Sequence, residues 1–431
     1  MERVRVLVFP SGTEGALEIY NALRYNLHFD VFGASGKKNH TDYSYPKGHY
    51  FYGDERLYIN HPEFADTLAT LVKKFGIQYI IPTFDDVTLR LVQIQQRLPA
   101  KIVTSPYETV LAASDKKLMY QSVQGLPFAP QVYCTVDEID AYPVFVKPAV
   151  GMASQRVCRI DNRDQLVAFL ADESDAVICE HLPGDEVSVD CFTDRHGNLL
   201  FVGPRLRERI WHGITLRGKT LPLTDELKNM AAQLNARLKF RGAWYFQAKQ
   251  NEKGQFKLLE FSTRQATNSS MYEKLGVNFS LLSLFDAMDM DVKILFNDYP
   301  LEQERRLQAS YRFHCEYEAV YIDLDDTLIL DGKVNTGAMK FVYQCLNHRK
   351  RVFLLTRHFS DLDNTLKQYR ISKDIFDDII WIKDNRLKAE YITEKNAIFI
   401  DNYFKERDFV KQRLDIPVFD VNAIDCLILE N

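Results

Sequence analysis

The sequence predicts a multidomain protein of mixed α/β and α+β class, and three observations point to it. Its 431 residues suggest two to four structural units. Strand and helix patterns alternate at both ends of the chain, the signature of parallel sheets. Between them lies a block of short, closely spaced strands suited to antiparallel pairing.

The first unit is placed at 1–112. Val4–Phe9 is an apolar strand that runs through Ser11, Gly12, Thr13, Glu14 and Gly15 into a helix over 16–25. Glycines at such a turn let the backbone approach a ligand, but Gly12 and Gly15 alone are a weak nucleotide signal. Further strands fit 29–32, 79–82 and 101–104, separated by helical patterns such as 64–75.

The middle unit is placed at 113–300. Strands fit 144–147, 157–160, 177–180, 186–193, 199–203, 244–250 and 256–261. Helices fit 116–123, 163–171, 225–238 and 278–288. Residues 301–317 turn charged and then aromatic, and read as a linker, helical or irregular. The last unit, 318–431, returns to strand–helix alternation, with strands at 320–324, 351–356, 378–382, 397–401 and 418–421.

Composition narrows the function. With 46% hydrophobic and 26% charged residues, the chain is an ordinary globular protein. A net charge of −5 and the lack of a long basic run argue against nucleic acid as a partner. No stretch is apolar enough to span a membrane, so no membrane partner is expected. The first residues enter a strand at once, so no signal peptide is expected. Seven scattered cysteines without a CxxC pair fit a reducing, cytoplasmic setting, with neither a disulfide frame nor a zinc site.

Chemistry concentrates in two places. In the last unit, a strand over 320–322 delivers Asp323, then Asp325 and Thr327 at spacings of two. Clustered carboxylates repel one another unless a cation or a bound phosphate site compensates. In the middle unit, Lys147 ends a strand before the small-residue loop 149–154. A lysine beside such a loop can hold a polyphosphate together with backbone N–H groups. Glu180, His181 and Leu182 sit at a strand end whose main chain can read an adenine, and Glu186 can accept from ribose hydroxyls. Gln247 and Glu260 fall on adjacent strands, and oxygen ligands beside phosphate oxygens are how Mg²⁺ is held. Arg205, Arg207 and Arg209 alternate along the chain, so a strand would put them on one face. That face is either a solvated basic one or a site for a substrate carboxylate or phosphate.

The order Lys147, Glu180-x5-Glu186, Gln247, Glu260-x3-Arg264 resembles the ATP-grasp superfamily over about 1–300. The resemblance is nearest to the carbamoyl phosphate synthetase and biotin carboxylase branch. It implies a pre-ATP-grasp α/β domain followed by an ATP-grasp α+β domain. Lys116 and Lys147 would hold phosphates, with Ser154 in the phosphate loop. Glu180, His181 and Leu182 would hold adenine, and Glu186 the ribose. Gln247, Glu260 and Ser262 would hold Mg²⁺ or Mn²⁺, with serine standing where asparagine is usual. Arg264 would serve catalysis, and Arg205 and Arg207 the substrate. The implied activity is carboxylate–amine (or carboxylate–thiol) ligation through an acyl phosphate, with ATP and Mg²⁺ as cofactors.

Residues 318–431 resemble the haloacid dehalogenase superfamily of phosphatases and phosphotransferases, a Rossmann-like fold. Asp323, Asp325 and Thr327 meet its first motif, Thr356 the second, Lys388 the third and Asp401 the fourth. Asn402 stands where a second acid is usual, with Glu406 nearby. The resemblance implies Asp323 as nucleophile and Asp325 as general acid and then base. Thr356 and Lys388 would hold phosphate oxygens. Asp323, the Asp325 main chain and Asp401 would hold Mg²⁺. The short spacings leave no room for a cap domain, which implies a bulky substrate or cover from elsewhere in the chain.

The combined expectation is a bifunctional enzyme acting on small-molecule carboxylates and amines, some of them phosphorylated. A homodimer is one expected assembly. Two alternatives stay open: a kinase that joins no amine, and a protein in which one half is a degenerate binding or regulatory module.

Overall fold

The computed structural model describes residues 2–151, 157–173, 175–211 and 214–429. It forms two compact units, Met1–Leu307 and Gln308–Asn431.

The first unit opens with a five-stranded parallel sheet in the order Tyr50–Tyr52, Phe29–Ser35, Val4–Phe9, Tyr79–Pro82, Lys101–Ile102. Val6, Leu7 and Val8 are fully buried, as expected for a parallel strand covered on both faces. Thr13 caps the helix Glu14–Leu23 by accepting from the Ala16 amide at 3.0 Å. Phe64–Phe75 ends at Gly76, whose φ of 61° is the left-handed conformation that favours glycine.

Two antiparallel sheets follow. Val132–Tyr133, Ala176–Glu180, Val144–Pro148 and Cys158–Ile160 form a four-stranded sheet backed by the helix Arg163–Asp172. A six-stranded sheet runs Phe256–Ser262, Gly242–Gln250, Glu186–Thr193, Leu199–Trp211, Ile214–Thr220, Glu302–Glu304. The helix Asp225–Leu238 packs on it, burying Met230 and Leu234 in a core shared with Phe240 and Trp244. Those two rings stack 3.8 Å apart, and the Trp244 indole donates to Thr193 Oγ1 at 2.9 Å.

The outer strands of this sheet differ from the sequence reading. The strand expected at 199–203 continues to Trp211, because its charged half is paired across the ladder: Glu208 with Lys219 and Arg217, Arg209 with Glu304. The ladder shifts register on both sides of Arg209. Even spacing therefore does not give the three arginines one environment: Arg205 is buried while Arg209 is 57% exposed. Glu302–Glu304 forms an edge strand by pairing with 217–219, where main-chain hydrogen bonding decides the matter rather than an apolar pattern.

Glu273 is partly buried and accepts a bond from Gln265 Nε2 at 2.8 Å. Burial first, and the Glu18 carboxylate second, push its pKa from 4.5 up to about 8. The folded chain then keeps a proton that the unfolded chain releases. Stability therefore falls as pH rises from about 4.5 toward about 8. Glu273→Gln is expected to flatten that slope, read from urea midpoints at pH 5 and pH 8.

The second unit is a five-stranded parallel sheet in the order Asp378–Trp381, Arg351–Thr356, Ala319–Ile322, Ala397–Ile400, Val418–Phe419. Its central strand, Ala319–Ile322, is wholly buried. A tight hairpin, Ile329–Leu330 with Lys333–Val334, turns through Asp331 and Gly332 at φ 46° and 68°. The helix Thr336–Asn347 leads back to the second strand, and Leu362–Gln368 is the α-helix between Thr356 and Asp401. Among the described residues, no helix is long and apolar enough to cross a membrane.

Candidate functional site

In the first unit, antiparallel register places Arg205, Ser188, Gln247 and Glu260 opposite one another in a cross-strand row. A register shift beside Gln247 interrupts the ladder there. In the amide orientation that satisfies its neighbours, Gln247 donates to Glu260 Oε1 at 3.0 Å, and its oxygen accepts from Arg207 at 2.8 Å and Ser188 Oγ at 3.3 Å. Arg207 also faces Glu186 at 3.6 Å and bonds Thr215 Oγ1 at 3.0 Å.

Lys147 is buried at the strand Val144–Pro148. Its ammonium bonds the Tyr120 hydroxyl and lies 3.2 Å from the Leu259 carbonyl. Burial opposes its charge, but Tyr120, Cys179 and Glu260 outweigh that and hold the pKa above its ordinary value. Lys116 follows its N-cap, Asp115, and donates from Nζ to the Gly151 carbonyl at 3.1 Å. Its pKa is lowered, chiefly by burial and also by Lys147, while Glu260 works the other way. Arg207 and Arg264 feel the Glu260 charge as well. Four cations thus lie within electrostatic reach of the Glu260 carboxylate, with Glu186 and Asp85 beside two of them, a field that suits a polyphosphate with its metal.

Arg264 is braced by Asp85, 2.8 Å from one Nη, and lies 5.5 Å over the Tyr245 ring. Asp85 also accepts from the Ser262 hydroxyl. Asp85 comes from the helix Asp85–Gln93, which follows a strand of the parallel sheet. Sequence reading did not select it, although an Asp-Asp pair just after a strand was a visible signal. Removing one partner from a mostly buried ion pair leaves the other uncompensated. Asp85→Ala is expected to cost about 3 kcal/mol in urea unfolding.

The remaining expected residues fall in different places. Glu180 Oε1 accepts from the Gln131 amide at 2.8 Å, so its carboxylate braces the strand end that carries His181 and buried Leu182. Burial, with Arg159 and Lys249 in support, lowers the His181 pKa. Arg205 does not join the cation cluster. It turns along the sheet onto Asp190 with bonds of 2.7 and 3.3 Å, both side chains being nearly inaccessible. A guanidinium so engaged and nearly sealed from solvent is occupied by an internal ion pair. Ser154 lies outside the described residues.

In the second unit, residues after three neighbouring parallel strands converge. Lys388 Nζ lies 2.8 Å from Asp323 Oδ1 and 2.6 Å from Asp401 Oδ2, and all three side chains are buried. Burial raises the Asp323 pKa, with Lys388 opposing and Asp401 adding to the rise. The hydroxyls of Thr327 and Thr356 are buried without a hydrogen-bond partner. Buried orphan donors beside a lysine fit a phosphate. Asp325 accepts from or donates to His358 Nδ1 at 2.9 Å. Glu406 is committed to Arg357 at 3.0 Å and to the Lys388 amide at 3.1 Å, so it braces the lysine. Asn402 is exposed.

Among the described residues, no group of three His, Cys, Asp or Glu side chains stands ready as a metal-ligand set. The donors at hand fit Mg²⁺ differently in each unit. Asp323 and Asp401 converge as two carboxylates, while Glu260 and the Gln247 amide oxygen would need phosphate oxygens to complete a shell.

Residues 172–307 match the family model described as ATP-grasp in the biosynthetic pathway with Ter operon. That span holds the strands bearing Glu180, Glu186, Arg207, Gln247 and Glu260, and Arg264 just beyond the last of them. The first unit has an ATP-grasp fold. Among solved structures, a biotin carboxylase–βγ-ATP complex from Campylobacter jejuni is similar at a TM-score of 0.57 and 15% identity, covering 68% of this chain and 72% of that one. N5-carboxyaminoimidazole synthetase from Staphylococcus aureus, complexed with ADP, is similar at 0.56 and 14%, covering 71% and 83%. L-amino acid ligase from Bacillus licheniformis is similar at 0.52 and 18%, covering 67% and 74%. At these identities the likeness establishes the fold. No curated protein sequence matches the chain. ATP-grasp enzymes use ATP and Mg²⁺.

Proposed function

We propose that the ATP-grasp unit is an ATP- and Mg²⁺-dependent ligase that activates a carboxylate and joins it to an amine or thiol. The observation that supports this reading most strongly is the contact of Gln247 with Glu260 and Arg207, with Lys116, Lys147 and Arg264 within electrostatic reach of the same carboxylate. Lys116 and Lys147 hold phosphate oxygens, and their charge offsets the negative charge that develops on the phosphoryl group in flight. Glu260 and Gln247 are the residues that would hold a metal ion, which would supply further positive charge when bound. The substrate carboxylate oxygen attacks the γ-phosphorus, the bond to the β-phosphate oxygen breaks, and ADP leaves. The amine nitrogen then attacks the acyl carbon of the acyl phosphate, loses a proton and expels phosphate. Arg264, fixed by Asp85, faces the charge that forms during this exchange.

The second unit, in the same proposal, is a haloacid dehalogenase-like phosphatase. Asp323 attacks the phosphorus of a phosphate monoester, the bond to the leaving oxygen breaks, and Asp325 supplies that oxygen with a proton. Asp325 then takes a proton from water, the water oxygen attacks the phosphorus, and phosphate departs to restore Asp323. Lys388 and Thr356 hold the phosphoryl oxygens. Asp323, the Asp325 main chain and Asp401 are the positions for Mg²⁺, which supplies charge neutralisation when bound. Joining the two activities in one chain fits a ligase that uses or makes a phosphorylated metabolite, whose dephosphorylation would pull the ligation forward.

The test is ADP release across a panel of amino acids and other carboxylates, with and without an amine, alongside Mg²⁺-dependent hydrolysis of an aryl phosphate. ADP that appears only with both carboxylate and amine supports the ligase. ADP formation without amine, with a stable phosphorylated product, replaces it with a kinase.

A further inference from the structure

His358 follows the strand Arg351–Thr356 by two residues and packs into the second unit's site with 11% of its side chain exposed. Its backbone carbonyl accepts from the Trp381 indole at 2.8 Å, which fixes the loop that carries it. Its Nε2 lies 2.7 Å from Thr365 Oγ1, and that hydroxyl lies 3.0 Å from the Asp361 carbonyl. A hydroxyl has one proton, and the carbonyl can only accept it. With its proton on that carbonyl, Thr365 accepts from Nε2–H; Nδ1 then accepts the acid proton of Asp325 when the ring is neutral and donates to the carboxylate when the ring is charged. The opposite ring nitrogen, Nδ1, faces both oxygens of Asp325 at 2.9 and 3.0 Å.

The arrangement is asymmetric. Asp325 is 47% exposed, on a turn where Asp326 takes a φ of 51°. A half-exposed carboxylate on a turn samples several rotamers unless something holds it. His358 is partly buried, anchored at both its backbone and its far nitrogen, and sits nearly equidistant from the two carboxylate oxygens. Such a ring limits rotation of the carboxyl group as well as its position.

We infer that His358 is a positioning residue for the general acid: it holds Asp325 where that side chain delivers its proton to the leaving oxygen of a phosphate monoester. Thr365 is the anchor behind it. The inference rests on the phosphatase reading of this unit and adds a residue that none of the four sequence motifs contains. It has a consequence that depends on substrate. Proton delivery matters most when the leaving group is a poor one, such as an alkoxide, and least for a stabilised phenolate.

The experiment uses the full chain and measures kcat/KM, which reports transfer to Asp323, for para-nitrophenyl phosphate and for a simple alkyl phosphate. In His358→Ala, the alkyl ester is expected to lose about 30-fold and the nitrophenyl ester less than about 3-fold. His358→Asn can place an amide near the Nδ1 position and is expected to recover part of the alkyl activity. Thr365→Val should shift both substrates in the same sense as His358→Ala, by less. Thermal unfolding of each variant checks that the fold is kept. Equal losses on both esters, or no loss on either, overturn the positioning role while leaving the phosphatase reading intact. Absence of hydrolysis in the wild-type protein, on either ester with Mg²⁺ present, overturns both.

Discussion

Asp323→Asn is expected to lower aryl phosphate hydrolysis by at least about 10³-fold while leaving ADP formation by the ATP-grasp unit unchanged. An amide oxygen is a poor nucleophile toward phosphorus, and the substitution changes the shape of the side chain very little. Folding should survive it, because Lys388 keeps its ion pair to Asp401 at 2.6 Å. The surrounding strand, Ala319–Ile322, is held by parallel pairing on both sides and does not depend on the carboxylate. Steady-state hydrolysis and ADP release, measured on one preparation, give both halves of the result. A variant that retains phosphatase activity would remove Asp323 from the nucleophile position. Loss of both activities would argue against two separate sites.

Glu260→Ala should do the reverse, lowering ADP formation by about 10²-fold or more with ester hydrolysis untouched. Glu260 is the carboxylate felt by Lys116, Lys147, Arg207 and Arg264 alike. Without it Lys116 and Lys147 lose a nearby negative charge, and the oxygen that pairs with Gln247 is gone. Nucleotide binding has its own readout. At ATP–Mg²⁺ concentrations of about 100 times Kd, the wild-type unit should gain about 2.7 kcal/mol of stability by linkage. The variant should gain little. An unaltered thermal shift in Glu260→Ala would show that the nucleotide binds elsewhere.

Much of this was readable in the chain. Val4–Phe9, Ala319–Ile322 and Arg351–Thr356 announce themselves as strands because strands buried on both faces are runs of apolar residues. Gln247 and Glu260 were assignable to adjacent strands, and the ladder pairs them directly. The spacing of Asp323 and Asp325 was visible because one turn must present both. The sequence was silent where partners come from distant segments. Asp85 and Arg264 are far apart in the chain, yet their side chains lie 2.8 Å apart. His358 reaches Asp325 from a neighbouring strand end. The pairing of Arg205 with Asp190 has the same origin. Alternation shows which residues share a face, but whether that face is covered depends on everything packed against it.

The sequence by itself determined which segments become strands and helices, and it placed acids, amides and lysines at strand ends where chemistry is done. These are local properties, set by hydrophobic period and backbone preference within about ten residues. Tertiary structure alone decided which charges meet. It brought Gln247 against Glu260 and Arg207, sealed Arg205 against Asp190, set Lys388 between Asp323 and Asp401, and put His358 behind Asp325. Electrostatic partnership depends on distances of a few ångströms and on exclusion of water, and both come into being only when remote segments pack.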